Sequence, residues 1–202
     1  MLNKFGFLLV SVFTLFSSAI YASEDTDVLP VKQHFEDAAV CAAAVQSAGD
    51  EFGVSHDLLH TISVVESGRW DDLQQRFVAW PWTVNANGKG HYYETREQAL
   101  EAIKNFQSQG IVSIDVGCMQ INMKYHGDEF ASVEEALDPH KNVQYSAKLL
   151  RSLYSQNGNN WEKAAKKYHS GNPDAGNIYS KRLEKRFESY KVAGLTQSNE
   201  LF

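Results

Sequence analysis

Residues 55–68 read Ser-His-Asp-Leu-Leu-His-Thr-Ile-Ser-Val-Val-Glu-Ser-Gly, and their pattern decides the fold. Leu58, Leu59, Ile62 and Val65 lie three and four residues apart, the spacing that gathers apolar side chains on one face of an α-helix. Ser55 stands where a helix takes its N-cap, and Gly68 follows as a stop signal. Glu66 closes the apolar face. A carboxylate there loses hydration and meets the negative end of the helix dipole, and both effects favour the neutral acid over the charged form. A protonated carboxyl group can hand its proton to a leaving oxygen, so Glu66 is the first candidate catalytic residue. The plainer alternative is a solvated residue at a helix edge.

Working outward, Phe35, Ala38, Ala42, Val45 and Ala48 recur at helical spacing and predict a first helix from near His34 to the stop at Gly53. Downstream, Trp82, Val84, Tyr92 and Tyr93 flank an Asn87-Gly88 pair, the signal of a β-hairpin between Trp80 and Glu94. Thr95 with Gln98 forms a capping box for a helix carrying Ala99, Leu100, Ile103 and Phe106, which Gly110 closes. Ile111 to Ile114 predict a short strand before Gly117. Ser132 with Glu135 is a second capping box, and Asp138-Pro139 opens a helix with Val143, Ala147, Leu150 and Leu153 on one face, ending at Asn157-Gly158. Helices from Trp161 to His169 and from about Ile178 to Tyr190 complete the set. No internal repeat is present, so the fold class is mainly α, one helical domain with a small β-hairpin element.

The bulk properties agree. A chain of 202 residues with 43% hydrophobic and 22% charged content is an ordinary globular chain with one full core. A net charge of −6 argues against nucleic acid as a partner. From Trp161 to Phe202 basic residues outnumber acidic ones by eight to five. That excess reads first as a solvated helix face, with an anion-binding patch as the alternative. Lys4 followed by the apolar run Phe5–Ile20 resembles a secretory signal and is too short and polar for a membrane span. Cleavage after Ala19 or after Ala22 would suit it. The expected division is a signal peptide over 1–22, a lead-in containing Pro30 over 23–33, a domain over 34–191 and a tail over 192–202, with the periplasm as destination. In an oxidising compartment Cys41 and Cys118 are expected to form a disulfide, two buried free thiols being the alternative. Their spacing fits no zinc site, and neither metal nor cofactor is expected.

Two further clusters carry polar groups suited to a groove. Gly117-Cys118-Met119-Gln120-Ile121-Asn122 joins a flexible turn to two amides, which bond sugar hydroxyls and acetamido groups well, or which cap a turn. Tyr168-His169-Ser170-Gly171-Asn172 ends a helix in polar side chains, although Tyr168 could equally be core and His169 surface. In this order, Glu66-Ser67-Gly68, then 117–122, then 168–171, the motifs resemble the soluble lytic transglycosylase family over about residues 36–190. The resemblance implies a lysozyme-like fold. It also implies non-hydrolytic cleavage of the β-1,4 bond between N-acetylmuramic acid and N-acetylglucosamine, leaving 1,6-anhydro-muramic acid ends. Glu66 would be the acid and then the base. Ser67, Met119, Gln120, Asn122 and His169 would contact substrate, and Tyr168 would orient Glu66 or the sugar.

This sequence departs from the family pattern where Lys167 precedes Tyr168 and His169 replaces the usual Asn. The segment from about Asp71 to Gly110, with Trp80, Trp82, Tyr92 and Tyr93, exceeds a minimal lysozyme-like domain. Its aromatics form either a satellite core or a wall on which sugar rings stack. A muramidase is the nearest rival and would need a second carboxylate, for which Asp71, Asp72 and Asp115 are candidates. A non-catalytic wall-binding or scaffold protein is disfavoured by the presence of Glu66. The partners implied are peptidoglycan glycan strands acted on by a monomer. By analogy alone, a transenvelope secretion, conjugation or flagellar apparatus is a further partner.

Overall fold

The computed structural model describes residues 28–202. The expected signal peptide over 1–22 lies outside the described residues, as does the first part of the lead-in. Helix α1 spans Val28–Phe52, beginning six residues before the expected start at His34. Pro30 falls in its first turn, where the backbone N–H has no helical partner to lose, so the proline that suggested a lead-in is tolerated. Its buried face is Ala38, Cys41, Ala44, Val45 and Ala48, while Phe35 and Ala42 of the expected stripe are exposed. The face is turned by one residue because α1 packs along α6 (Pro139–Gln156) with Cys41 inward.

Helix α2 (His56–Ser67) lies at the centre, with Leu58, Leu59 and Ile62 wholly buried. It passes directly into a hairpin, β1 (Gly68–Asp71) and β2 (Arg76–Ala79), that the sequence pattern had not indicated. The expected hairpin is β3 (Thr83–Ala86) with β4 (Lys89–Tyr92), and Asn87 and Gly88 both take positive φ at its turn, 51° and 81°. Strands β5 (Ile114–Val116) and β6 (Ile121–Asn122) extend it into an antiparallel sheet of order β4-β3-β5-β6. The strand expected over 111–114 thus starts only at its last residue. The Ile111 N–H is taken by the Phe106 carbonyl at the end of α3 (Arg96–Ser108), and β3 pairs only from Ala86 opposite Ile114 to Val84 opposite Val116.

Three of the capping signals were accurate, whereas Ser55 stands at the N-cap of α2 without a side-chain capping bond. Thr95 accepts the Gln98 N–H at the start of α3, Ser132 that of Glu135 at α5 (Val133–Ala136), and Asp138 that of Lys141 at α6. A short α4 (Met123–His126) intervenes, and α7 (Trp161–His169) follows α6. Helix α8 (Pro173–Val192) starts five residues before the expected Ile178. Asn172 caps it by accepting the Asp174 and Ala175 N–H groups, and Pro173 supplies a preset first residue. The tail is folded onto the domain. Leu201 is buried, and the Gln197 and Ser198 N–H groups donate to the Asp57 carboxylate in the first turn of α2, at 2.9 and 2.7 Å.

Two apolar cores result. The main one surrounds α2 and includes Cys41, Val45, Met119, Val143, Leu150, Leu183 and Phe187. The second holds Trp80, Trp82, Val84, Ile103, Ile114 and Val116 under the sheet, with Tyr93 against it. The aromatics of the 71–110 segment are therefore mostly a satellite core, and Tyr92, 49% exposed, is the exception. Cys41 and Cys118 are joined in a disulfide, Cα to Cα 5.8 Å. The architecture is a mainly α, lysozyme-like domain with a small antiparallel sheet.

Candidate active site

Glu66 sits in the last turn of α2, its side chain 16% exposed. Two devices fix it. A Cβ on Gly68 would lie 2.2 Å from the Val64 carbonyl oxygen, so only glycine lets α2 turn at once into β1. Ser67 points the other way, wholly buried, with its hydroxyl 2.8 Å from the Cys118 carbonyl oxygen. Ser67 was expected to touch substrate. It instead ties the end of α2 to the 117–120 loop, which turns its neighbour Glu66 toward solvent.

The loop has its own anchor. Asn142 of α6 is fully buried, accepts the Met119 N–H at 2.8 Å and donates to the carbonyls of Val116 and Ala136 at 2.9 and 2.8 Å. Gly117 (φ 79°) passes so near that a Cβ would lie 2.6 Å from the amide nitrogen. Met119 is drawn into the main core by this arrangement and is fully buried, so it does not line the groove as expected. Its carbonyl accepts the Tyr168 hydroxyl at 2.7 Å. Asn142→Ala removes three buried hydrogen bonds to the backbone and is expected to cost about 3 kcal/mol of unfolding free energy. Urea titration checks this; an unchanged midpoint would mean that the loop holds itself.

Glu66, Gln120, Asn122, Tyr168 and His169 share one cleft of about 400 Å³. Its opposite side is a polar row across the sheet. Asn85 on β3 is in register with Asp115 on β5, which is in register with Asn122 on β6, so the three share a face. Asn122 donates to Asp115 at 2.7 Å, and the buried Asn85 Oδ1 has no hydrogen-bond partner among the described residues. Burial pushes the Asp115 carboxyl up; the Asn122 bond opposes this, and the charge of Glu66 adds to it. Of the three rival acids only Asp115 lines the cleft. Asp71 is buried beneath the β1–β2 hairpin. There burial alone would raise its carboxyl, but the Gln74 N–H, the His34 ring and the Leu73 N–H hold it below the usual range. Asp72 accepts the exposed Trp70 indole N–H.

Around Glu66 stand His169, with Nδ1 3.8 Å from the carboxylate, and two phenols, Tyr168 and Tyr179. Burial first, and the Glu66 charge second, push both phenols far above their ordinary range, so they remain neutral donors. The Tyr179 ring stacks on His169 with centroids 4.2 Å apart, and its buried hydroxyl has no partner within hydrogen-bond distance among the described residues.

Past Glu66 the groove continues into a second hollow of about 500 Å³ between the hairpins and α8, and the two hollows meet at Val65, Glu66 and Arg182. Sequence reasoning missed Asn85, Tyr125, His126, Leu149, Tyr179 and Arg182. The alternation Val84-Asn85-Ala86, matching Ile114-Asp115-Val116, carried a signal for Asn85, because a polar residue between two buried strand residues faces the opposite side. Tyr125 and His126 had none, since the four-residue α4 that presents them has no pattern of its own.

A family model described as the transglycosylase SLT domain matches residues 43–191. Comparison with curated proteins and with solved structures gives no match.

Proposed function

Since the chain belongs to the transglycosylase SLT domain family, whose members act on peptidoglycan, we propose that it cleaves the glycan strand non-hydrolytically with Glu66 as its acid and base. Glu66 protonates the oxygen between N-acetylmuramic acid and N-acetylglucosamine. It then accepts the proton of the muramic acid C6 hydroxyl as that oxygen attacks the anomeric carbon, leaving a 1,6-anhydro end. One carboxyl group serves both steps because the nucleophile already belongs to the substrate and its approach costs little entropy.

The observation that carries this reading is the position of Glu66 midway along an open groove, where chain can extend on both sides of the bond to be cut. The Asn85 amide and the Gln120 Oε1 face sugar substituents, while the N–H groups of Gln120 and Asn122 already donate to Thr83, Gly117, Ser113 and Asp115 and hold the two side chains in place. His169, in place of the usual Asn, stands beside the carboxylate and takes the contacting role there.

One observation favours a second reading. Asp115 faces the same cleft and feels the charge of Glu66, as the second carboxylate of a muramidase would. Mass spectrometry of digested sacculi separates the two. The expected muropeptides are lighter by one water than hydrolysed ones, with Asp115→Asn retaining that product. A digest with free reducing ends only, abolished by Asp115→Asn, would make the protein a hydrolase.

The reading includes export to the periplasm, supported by a disulfide of a kind that persists in oxidising compartments. There a monomer of this size would open the wall for a transenvelope secretion, conjugation or flagellar apparatus.

A further inference from the structure

The β1–β2 hairpin has two faces, because successive strand residues point to opposite sides. On one, Trp70 lies opposite Phe77 with the rings edge to face at 5.4 Å, and Phe77 lines the second hollow of the groove. On the other, Arg69 and Asp71 turn toward α1. The inner end of the hairpin is fixed close to the site: the Trp80 N–H donates to the Ser67 carbonyl at 3.2 Å, and the Tyr190 hydroxyl to the Phe77 carbonyl at 2.6 Å. The outer end rests on Asp71, whose side chain is wholly buried. Its bonds to the N–H groups of Leu73 and Gln74 and to the Gln74 amide lie within the turn. Among the described residues, its one partner from elsewhere in the chain is His34 of α1, with Nε2 2.9 Å from the carboxylate.

The His34 ring is held by three neighbours. A guanidinium can only donate, so the Arg69 contact at 3.4 Å makes Nδ1 the acceptor, and Nε2 carries the proton given to Asp71. The fully buried Trp80 lies against the ring at 5.4 Å and carries the Arg69 guanidinium 3.6 Å over its own face. His34 stands ahead of residues 43–191, so this tie comes from outside the span that the family model matches.

Resting on the proposed cleavage of glycan strands, we infer that His34 is a positioning residue for the groove: by holding Asp71 it sets the place of the Trp70–Phe77 face, and so how tightly a strand is bound. Glu66 does not depend on it. The bond from Ser67 to the Cys118 carbonyl holds the end of α2 from the other side. Loss of His34 leaves a buried carboxylate with donors from its own turn alone, and the hairpin is then free to pivot about its inner end. A wall displaced by about 1 Å costs binding while the reacting groups stay in place.

Three variants test this. His34→Leu fills the space against Trp80 without a donor, His34→Ala empties it, and His34→Gln puts an amide N–H near the place of Nε2. Binding of soluble, uncross-linked glycan strands is measured in the Glu66→Gln background, and turnover of the same strands with Glu66 intact. His34→Leu and His34→Ala are expected to bind about tenfold more weakly, with KM raised as much and kcat within about twofold of the parent. His34→Gln should recover most of the affinity. If His34→Ala does not fold, His34→Leu against His34→Gln decides. Amide hydrogen exchange should quicken in residues 68–79 and not in 56–67, a contrast that a general loss of stability would not produce. Unchanged binding, a fall in kcat with KM unchanged, or hairpin exchange that keeps pace with that of α2 overturns the role even where the parent cleaves. If the parent cuts no strand while binding falls in His34→Leu and returns in His34→Gln, the positioning role stands and the catalytic reading fails.

Discussion

Glu66→Gln is expected to lower the rate of glycan cleavage by about 10³-fold, since general acid–base groups contribute 10²–10⁴ and in the proposed reaction this one serves both steps. Glutamine has the shape of the acid but neither delivers a proton to the leaving oxygen nor receives one from the C6 hydroxyl. The polar neighbours of the carboxylate are His169, 3.8 Å away, and the Tyr179 hydroxyl, and glutamine keeps an amide oxygen toward both, so the melting temperature should hold. That separation of activity from stability is the useful part. Soluble muropeptide release from sacculi is the measurement. Activity within tenfold of the parent would put the acid elsewhere, and Asp115 would be the first residue to examine.

Replacing both half-cystines, Cys41→Ala with Cys118→Ala, is expected to remove about 4 kcal/mol of stability on the loop-entropy account. The bridge spans 77 residues, a long closure, and joins the middle of α1 to the turn that leads into Gln120. Both half-cystines are fully buried, so reductant reaches them only as the protein opens; substitution is the cleaner test. The loop keeps its bonds to Ser67 and Asn142, so the domain should still fold. Urea midpoints of the two proteins decide the point. Equal midpoints would mean that α1 and the loop are held by packing alone.

Much of this fold was legible because it is written in local signals. Thr95, Ser132 and Asp138 announce their helices through side chains that reach the next turn, and Asn87-Gly88 announces its hairpin through φ values that few other residues accept. Glu66 was legible for a similar reason, as an acid closing an apolar stripe. What failed depended on tertiary position. Met119 and Ser67 lie within the right motifs, but whether a motif residue faces the groove or the core is set by Asn142 and Cys118, remote in sequence. The β1–β2 hairpin carries Trp70, Asp71 and Phe77 in no clean alternation, because Asp71 is buried to bond its own turn and His34. The basic run of α8 could be read as a solvated face or as an anion patch, and only the opposing strands reveal what Lys185 and Arg186 face.

The folded-back tail has a mechanical consequence. Helix α2 is gripped at both ends by distant chain: Asp57 by Ser198, 141 residues away, and Ser67 by Cys118, 51 residues away. In the proposed reading a glycan strand lies across the last turn of α2, and any load it carries falls on Val64, Val65 and Glu66. With each end tethered to a different part of the molecule, the pull is shared across the whole domain, so α2 resists being peeled off as a single element while Glu66 keeps its place against the load.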